Sequence, residues 1–151
     1  MFHIFSQDDV VKITTALFRW FEIHKRPLPW REHYSPYEVW ISEVMLQQTQ
    51  MERGVAYFQR WMSRFPDVRS VAEAPEEEIL RCWEGLGYYR RARFLHQAAK
   101  IMLEQHGGRV PDTLEALSAL PGLGDYTVAA ILGIAYEQDI VSIDANDERV
   151  F

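Results

Sequence analysis

The chain of 151 residues has the length of one ordinary domain and is long enough to enclose a hydrophobic core. Hydrophobic residues make up 48% and aromatic residues 13%, which is typical of a globular protein and excludes an intrinsically disordered one. The formal net charge of −6 argues against a uniformly basic nucleic-acid-binding surface, although basic residues cluster between Arg90 and Lys100.

The sequence contains no run of about 18 apolar residues and no charged-then-apolar leader, so we expect neither a membrane span nor a secretory signal. Cys82 is the only cysteine, so the chain itself can form neither an internal disulfide nor a cysteine-based metal cluster. This cysteine usage fits a protein of the reducing cytoplasm. We interpret Cys82, which follows Arg81 and precedes Trp83, as a buried and chemically inert thiol.

Helical periodicity dominates the N-terminal third of the chain. An apolar stripe from Asp8 to about His24 predicts the first helix, which ends before Pro27. The second helix has a start signal with a clear mechanism: Ser35 is the predicted N-cap and Pro36 the first helical residue. Glu38 is predicted to close a capping box with Ser35.

The same signals predict further helices in the rest of the chain. They run from about Met51 to Phe65, from Pro75 to Gly85 or Gly87, from Tyr89 to about His106, and from Asp112 or Thr113 to about Ala119. Another apolar helical stretch includes Val128 and follows a glycine-containing turn. Strand-like alternation is limited to residues 140–143, so the predicted fold class is all-α.

That turn lies within residues 120–127 and carries two glycines, Gly122 and Gly124, one residue apart. Glycines allow the backbone to turn tightly and to approach another surface closely. Because a helix follows, its free N–H groups form a ready phosphate site. Asp144 follows twenty positions later, next to Ala145 and Asn146, small or polar neighbours that leave room around its carboxylate. The alternative interpretation, a plain helical corner followed by a solvated aspartate, stays open at this point.

Glu43 lies on the second predicted helix, whose other positions are largely apolar. Desolvation on such a helix favours the protonated carboxyl group, as a general acid near neutral pH requires. The helical periodicity also allows a surface glutamate on a polar face, because Trp40 and Gln47 lie three residues before and four after Glu43. The residues alone do not decide between these two interpretations.

Two polar segments have the composition of a DNA-binding surface. Residues 47–50 cluster amides and a hydroxyl, which can read base edges or fill an opened duplex. Residues 85–93 combine two glycines, two tyrosines and three arginines. Arginines, including Arg90 and Arg91, pair with phosphates, and tyrosines stack on bases. A polar helix end and a solvated basic helix start are the alternative interpretations.

Four segments in chain order carry a more specific signal: residues 28–31 (LPWR), 36–50 (PYEVWISEVMLQQTQ), 83–89 (WEGLGYY) and 120–127 (LPGLGDYT). Together they resemble the adenine DNA glycosylases of the MutY type, within the helix-hairpin-helix base-excision superfamily. The resemblance implies an all-α helix-hairpin-helix glycosylase fold, built as a six-helix barrel plus part of a second helical subdomain. It also implies a monomeric enzyme that flips and removes adenine mispaired with 8-oxoguanine or guanine in double-stranded DNA.

The resemblance also assigns roles to residues. Glu43 protonates the flipped adenine and later helps to activate water, while Asp144 stabilises the oxocarbenium-like sugar, a division of labour known from glycoside hydrolysis. Tyr126 and Asn146 orient these groups. The adenine pocket is formed by Trp30, Arg31 and Leu46. Gln48 and Tyr88 fill or wedge the opened stack. Gly122 and Gly124 bind phosphate through the backbone, with a bridging monovalent cation at the hairpin.

Three departures accompany the resemblance. In related bifunctional glycosylase/lyases, a Schiff-base lysine occupies the position of Tyr126, and Lys25 lies in the wrong segment to replace it. Ala145 stands where the adenine-specific pattern has glycine and slightly crowds Asp144. The full-length enzymes also carry four cysteines for a [4Fe–4S] cluster and a C-terminal domain that recognises 8-oxoguanine. We expect both beyond Phe151, where the sequence stops within a helical pattern, and therefore expect a truncated chain.

These expectations define two units: residues 1–29, the N-terminal helix of an incomplete cluster-bearing subdomain, and residues 30–151, a six-helix-barrel domain with its helix-hairpin-helix at about 113–136. The apolar stripe of the first helix is expected to be partly exposed, and excision by these 151 residues alone to be weak or absent. Two other functions remain open. Tyr126 argues against a glycosylase/lyase acting on oxidised pyrimidines, and the carboxylates Glu43 and Asp144 argue against a non-catalytic DNA-binding module.

Overall fold

A computed structural model describes residues 5–143 and Arg149. Within that part the helices are α1 (Gln7–His24), α2 (Pro36–Leu46), α3 (Met51–Arg64), α4 (Val68–Glu73), α5 (Glu76–Trp83), α6 (Tyr89–Gln105), α7 (Leu114–Ser118) and α8 (Asp125–Ala130). Pro29–Arg31 forms a 3₁₀ turn, and Ile131–Ala135 continues α8 as a wider π-helical turn. The all-α prediction is confirmed, and residues 140–143 form no strand.

Side-chain caps define where the helices begin. Ser35 is the N-cap of α2, and its hydroxyl accepts a bond from the Glu38 backbone N–H at 3.2 Å, as predicted. The predicted capping box is wrong in its second half, because the Glu38 carboxylate accepts from the Ser35 hydroxyl at 3.0 Å instead of from its backbone. Thr113, not Asp112, caps α7 by accepting from the Ala116 N–H at 3.3 Å.

Two features differ from the sequence prediction between α3 and α6. Helix α4 was not predicted; its N-cap Asp67 accepts from the Ser70 N–H at 2.7 Å, and the Ser70 hydroxyl accepts from the Asp67 N–H at 3.2 Å. This reciprocal cap lets six residues form a helix that packs against α6. Helix α5 ends at Trp83, before the two glycines predicted to end it.

Helix α2 lies at the centre of the core. Six of its residues are buried: Val39, Trp40, Ile41, Ser42, Val44 and Met45. It contacts α3 on one side and α8 with the following π turn on the other. Full burial of each large apolar side chain contributes about 1.5–3 kcal/mol. The Tyr37 hydroxyl joins α2 to α3 by donating to the Phe65 carbonyl at 2.7 Å and accepting from Trp61 Nε1 at 3.1 Å.

Helix α1 contrasts with the rest because none of its residues is buried. Its start is well capped, since Ser6 and Asp9 form a reciprocal capping box. Its apolar side chains are nevertheless exposed, including Leu17 at 61% and Phe18 at 67%. The expected exposure of this stripe is confirmed. No helix in the described part combines the length and hydropathy needed to cross a membrane.

Candidate functional site

A cavity of about 490 Å³ opens between the 3₁₀ turn, α2 and α8, and we name it the Glu43 cavity. It brings together five residues that the sequence predicted for one site: Trp30, Arg31, Glu43, Leu46 and Tyr126. Its lining also includes residues that sequence reasoning did not select for this site: Leu28, Tyr34, Val39, Ser42, Gln47, Met51 and Ile134. The walls are therefore mostly aromatic and aliphatic, and Glu43 is the only carboxylate in this lining.

Regular secondary structure positions the cavity's side chains. Glu43 is half-buried in the middle of α2, with Leu46 one turn later on the same face. Trp30 is buried and its ring packs edge-to-face on Phe58, with 5.2 Å between the centroids. The Arg31 guanidinium lies 5.7 Å from the ring centroid of Phe21, which belongs to α1. A carboxyl group held on a rigid helix beside an aromatic-walled cavity is suited to transfer a proton to a base inside it.

A second cavity, of about 780 Å³, lies between the end of α2, the start of α6 and the turn before α8. We name it the Gln48 groove. It collects the second set of predicted residues: Gln48, Tyr88, Arg90, Arg91 and Gly122. Gln47 lines both the cavity and the groove, and its Nε2 donates to the buried Thr127 hydroxyl at 3.2 Å. The two sites are thus neighbours that share one side-chain wall.

Two exposed residues of the groove have strained backbones. Gln48 has φ +57° and Tyr88 has φ +48°, the left-handed region that non-glycine residues rarely adopt. The strain costs about 1–2 kcal/mol at each residue. Among the described residues, four non-glycine residues have positive φ. Three of the four line one of the two sites: Gln48 and Tyr88 the groove, and Tyr34 the Glu43 cavity. Such strain clusters at functional sites, which agrees with the positions of these three residues.

The hairpin joins α7 to α8, and its two glycines serve different purposes. Gly122 has φ +78°, and a Cβ built there would lie 2.7 Å from the Phe94 Cβ, so packing against α6 requires glycine. Gly124 is the N-cap of α8 with φ −81°. A Cβ at Gly124 would meet nothing within 4 Å. The protein's own packing therefore does not require glycine at 124, and its backbone is open to close approach from outside.

The loop that carries Tyr88 is anchored by residues that sequence reasoning missed. From α3, the Tyr57 hydroxyl donates to the Glu84 carbonyl at 2.6 Å, and Arg53 donates to the Gly85 carbonyl. Trp83 Nε1 donates to the Gly87 carbonyl at 3.0 Å. These contacts hold the loop from both sides.

The two arginines predicted to contact DNA phosphates lie in different environments. Arg90 is exposed, with its guanidinium 4.9 Å from the Phe94 ring centroid. Arg91 is half-buried, and its Nη1 donates to the Val44 carbonyl at 2.9 Å and to the Gln47 carbonyl, so its predicted phosphate contact stays a prediction. Its Nε is shielded from solvent. The pattern of adjacent arginines gave no sign of this difference.

Residues 41–151 match the family profile described as "HhH-GPD superfamily base excision DNA repair protein". The chain belongs to this superfamily. It is 42% identical over 159 residues to the adenine DNA glycosylase of Rattus norvegicus, covering 99% of this chain and 31% of that protein. It is also 42% identical over 137 residues to the adenine DNA glycosylase of Mycobacterium tuberculosis strain H37Rv, covering 90% of this chain and 45% of that protein. The chain thus spans less than half the length of these curated relatives.

Solved structures agree with the HhH-GPD assignment. A thermostable thymine-DNA glycosylase aligns with a TM-score of 0.84 and 27% identity, covering 91% of this chain and 64% of that one. A non-covalent endonuclease III–DNA complex aligns with a TM-score of 0.78 and 21% identity, covering 97% of this chain and 67% of that one. The predicted helix-hairpin-helix glycosylase fold is confirmed.

The residues of this HhH-GPD chain do not fit a [4Fe–4S] cluster. Such a cluster needs four thiolates, and Cys82 is the only cysteine. Cys82 is half-buried, and burial raises the pKa of its thiol, the opposite of what a metal ligand needs. In the described part, no group of three His, Cys, Asp or Glu side chains is arranged to hold a metal ion. Asp144, Ala145 and Asn146 lie outside the described residues, so their predicted roles stay predictions.

Proposed function

We propose that this chain carries the catalytic centre of a monofunctional DNA glycosylase that hydrolyses the N-glycosidic bond of adenine mispaired with 8-oxoguanine or guanine. The observation that carries the proposal is the position of Glu43 at the wall of a 490 Å³ cavity with Trp30, Arg31, Leu46 and Tyr126. This volume accommodates a flipped purine between aromatic and aliphatic walls. The curated relatives named adenine DNA glycosylase support adenine as the base.

In the proposed reaction, Glu43 donates its proton to a ring nitrogen of the flipped adenine. The bond between the base and the sugar then breaks, adenine leaves as a neutral molecule, and positive charge develops on the sugar. The Asp144 carboxylate stabilises that charge. Ionised Glu43 next accepts a proton from the water that attacks the sugar, which restores the starting carboxylic acid. Tyr126 and Asn146 orient the reacting groups.

The Gln48 groove is the proposed contact with the opened duplex. Tyr88 is exposed and wedges between bases, while Gln48 fills the space that the flipped adenine vacates. Because Gln47 borders both sites, the opened base stack lies directly beside the Glu43 cavity. Arg90 and the backbone at Gly122 and Gly124 contact phosphates, which position the protein without reading sequence. We propose a monomer acting on double-stranded DNA in the cytoplasm. The hairpin backbone at Gly122 and Gly124 would hold a monovalent cation, which would supply positive charge for a phosphate.

A glycosylase/lyase is the closest alternative, and the cavity lining argues against it. A lyase needs an amine to form a Schiff base with the sugar. In the part of the chain that the structure describes, no lysine lines the Glu43 cavity. The Lys25 amine bonds the Glu22 carboxylate at 2.9 Å. A non-catalytic DNA-binding module, the other alternative, gives no reason for a carboxylate inside the cavity.

A single-turnover assay of the complete protein separates these functions. The substrate is a duplex with one adenine opposite 8-oxoguanine, and the control duplex has adenine opposite thymine. Strand breaks that form only after alkali treatment indicate a monofunctional glycosylase. Breaks without alkali indicate a lyase, and intact adenine in a bound duplex indicates a binding module. Either of the last two results overturns the proposal.

A further inference from the structure

The two strained residues of the Gln48 groove lie on different elements that meet at one side chain. Gln48 follows the end of α2, and Tyr88 immediately precedes α6. The peptide group before each residue is bonded to the same guanidinium: Arg91 donates from Nη1 to the Gln47 carbonyl and from Nη2 to the Gly87 carbonyl at 3.4 Å. One arginine therefore contacts the peptide plane that directly precedes each strained residue, and at Gly87 it shares the carbonyl with Trp83 Nε1, which donates at 3.0 Å.

Further contacts hold Arg91 itself. Its Nη1 also donates to the carbonyls of Val44 at 2.9 Å and Met45 at 3.3 Å, the last turn of α2. Its guanidinium carbon lies 5.3 Å from the Trp83 ring centroid and 5.6 Å from that of Tyr88. Burial lowers the pKa of Arg91, but an arginine remains charged in proteins. These charge-assisted bonds satisfy carbonyls that the helix end leaves without partners.

We propose that Arg91 is a positioning residue. It holds the turn that carries Gln48 and the loop that carries Tyr88 at a fixed distance and orientation, so that both side chains enter DNA together. This inference rests on the proposed function of the groove. Arginine suits the role because its planar fork donates in several directions at once, whereas lysine has one compact ammonium on a flexible stem and lacks this fixed geometry. Arg91 then acts through Gln48 and Tyr88 and touches no base itself.

The test compares Arg91→Lys with Arg69→Lys in the complete protein. Arg69 lies on α4, outside both the cavity and the groove, and pairs with Glu73 at 3.0 Å on the exposed surface, so it controls for the general effect of the substitution. Adenine extrusion is followed with a fluorescent adenine analogue opposite guanine, and excision in single turnover. We expect Arg91→Lys to slow both by about tenfold or more, the effect of losing a charge-assisted bond. Binding to a fully paired duplex should stay within about threefold, and Arg69→Lys should change nothing beyond about twofold.

A double-mutant cycle excludes a merely structural effect. In a protein that already carries Gln48→Ala and Tyr88→Ala, Arg91→Lys should slow excision by less than about twofold, because the side chains it positions are absent. A tenfold loss that persists in this background overturns the proposal. Unchanged extrusion and excision in Arg91→Lys alone overturn it as well.

Hydrogen exchange separates failure of this inference from failure of the proposed function. Arg91→Lys should speed amide exchange at residues 48–50 and 87–89 by about tenfold while α4 keeps its protection. Equal acceleration throughout the protein, or none at these two segments, contradicts the positioning role. If the unmodified protein extrudes no adenine analogue, the proposed function fails, and the exchange pattern still decides whether Arg91 holds the two segments.

Discussion

The Glu43 cavity and the Gln48 groove are adjacent but are built in opposite ways. The cavity is framed by the middle of α2 and by α8, and its carboxylate lies on a helix with buried residues on both sides of it. The groove is framed by helix ends and turns, and two of its exposed side chains, Gln48 and Tyr88, have left-handed backbones. In the proposed function, bond chemistry would therefore use regular, tightly packed structure, whereas contact with a deformed duplex would use strained segments that are held by hydrogen bonds from neighbouring helices.

The largest expected effect comes from the cavity. Glu43→Gln keeps the shape of the side chain but removes the transferable proton, so adenine release should fall by about 10²–10⁴-fold, and further if Glu43 also activates water. Affinity for a mispaired duplex should stay within a few-fold. Glu38→Gln is the matched control, because Glu38 lies on the same helix but outside the cavity. Excision by Glu43→Gln within a few-fold of the unmodified protein would falsify the catalytic assignment.

The two hairpin glycines, of which Gly122 lines the Gln48 groove, sharpen the comparison. Gly122→Ala should lower the free energy of unfolding by about 2 kcal/mol, because it adds left-handed strain and presses on Phe94. Gly124→Ala should change stability by less than about 0.5 kcal/mol but weaken binding to lesion and plain duplexes alike. Denaturant unfolding and binding titrations measure the two effects. Equal stability losses, or a Gly124→Ala defect confined to the lesion duplex, contradict the distinction.

A smaller effect on stability and excision is expected at the side-chain wall between the two sites, which Gln47 forms. Thr127→Val keeps the shape but removes the hydroxyl that accepts from Gln47 Nε2, and should cost about 1 kcal/mol of stability. Thr127→Ser keeps the hydroxyl and should retain the bond. If excision falls several-fold in Thr127→Val but not in Thr127→Ser, Gln47 must be held in place for the cavity to work. A valine variant as stable and active as the serine variant shows that the bond is unimportant.

Strain relief gives the smallest expected effect. Gln48→Gly and Glu137→Gly both replace a residue with positive φ by the residue that tolerates it. The relief of strain and the greater chain entropy of glycine nearly cancel, so each variant should change stability by no more than about 1 kcal/mol. Only Gln48→Gly should slow excision, because Glu137 lines neither the cavity nor the groove. If both variants lose excision, the hypothesis that the strained backbone of Gln48 serves the function of the groove is wrong.

Local chemistry explains which parts of the fold could be predicted. Ser35 with Pro36 and the pair Gly107–Gly108 mark helix ends through caps and backbone freedom, and the structure has α2 and α6 at these places. Helix α4 escaped prediction because its six residues are too few to show a period, although Asp67 and Ser70 form a capping pair.

The residues of the candidate site could be predicted where a local sequence pattern marks them. They could not be predicted where only the packing of distant segments brings them to the site. Glu43 and Leu46 share a helical segment with a specific pattern, and both line the cavity. Ile134 and Tyr34 reach the same cavity only because α8 and the segment before α2 pack there, and no local signal marks them. Arg91 could not be predicted for a related reason. Its sequence context does not distinguish an arginine that caps a neighbouring helix from one that faces solvent.

The π-helical turn after α8 lets this segment present more residues to one face than a regular helix would. Tyr126 and Ile134 are eight residues apart, which in a regular α-helix places them about 80° apart around the axis. Both line the Glu43 cavity, and the wider turn at Ile131–Ala135, which rotates less per residue, brings them closer to one face. Five residues of such a turn rotate about as far as four residues of an ordinary α-helix, so a one-residue deletion here should leave the direction of the following chain nearly unchanged. This segment should therefore tolerate the loss of a single residue better than the regular helix α2, which positions Glu43.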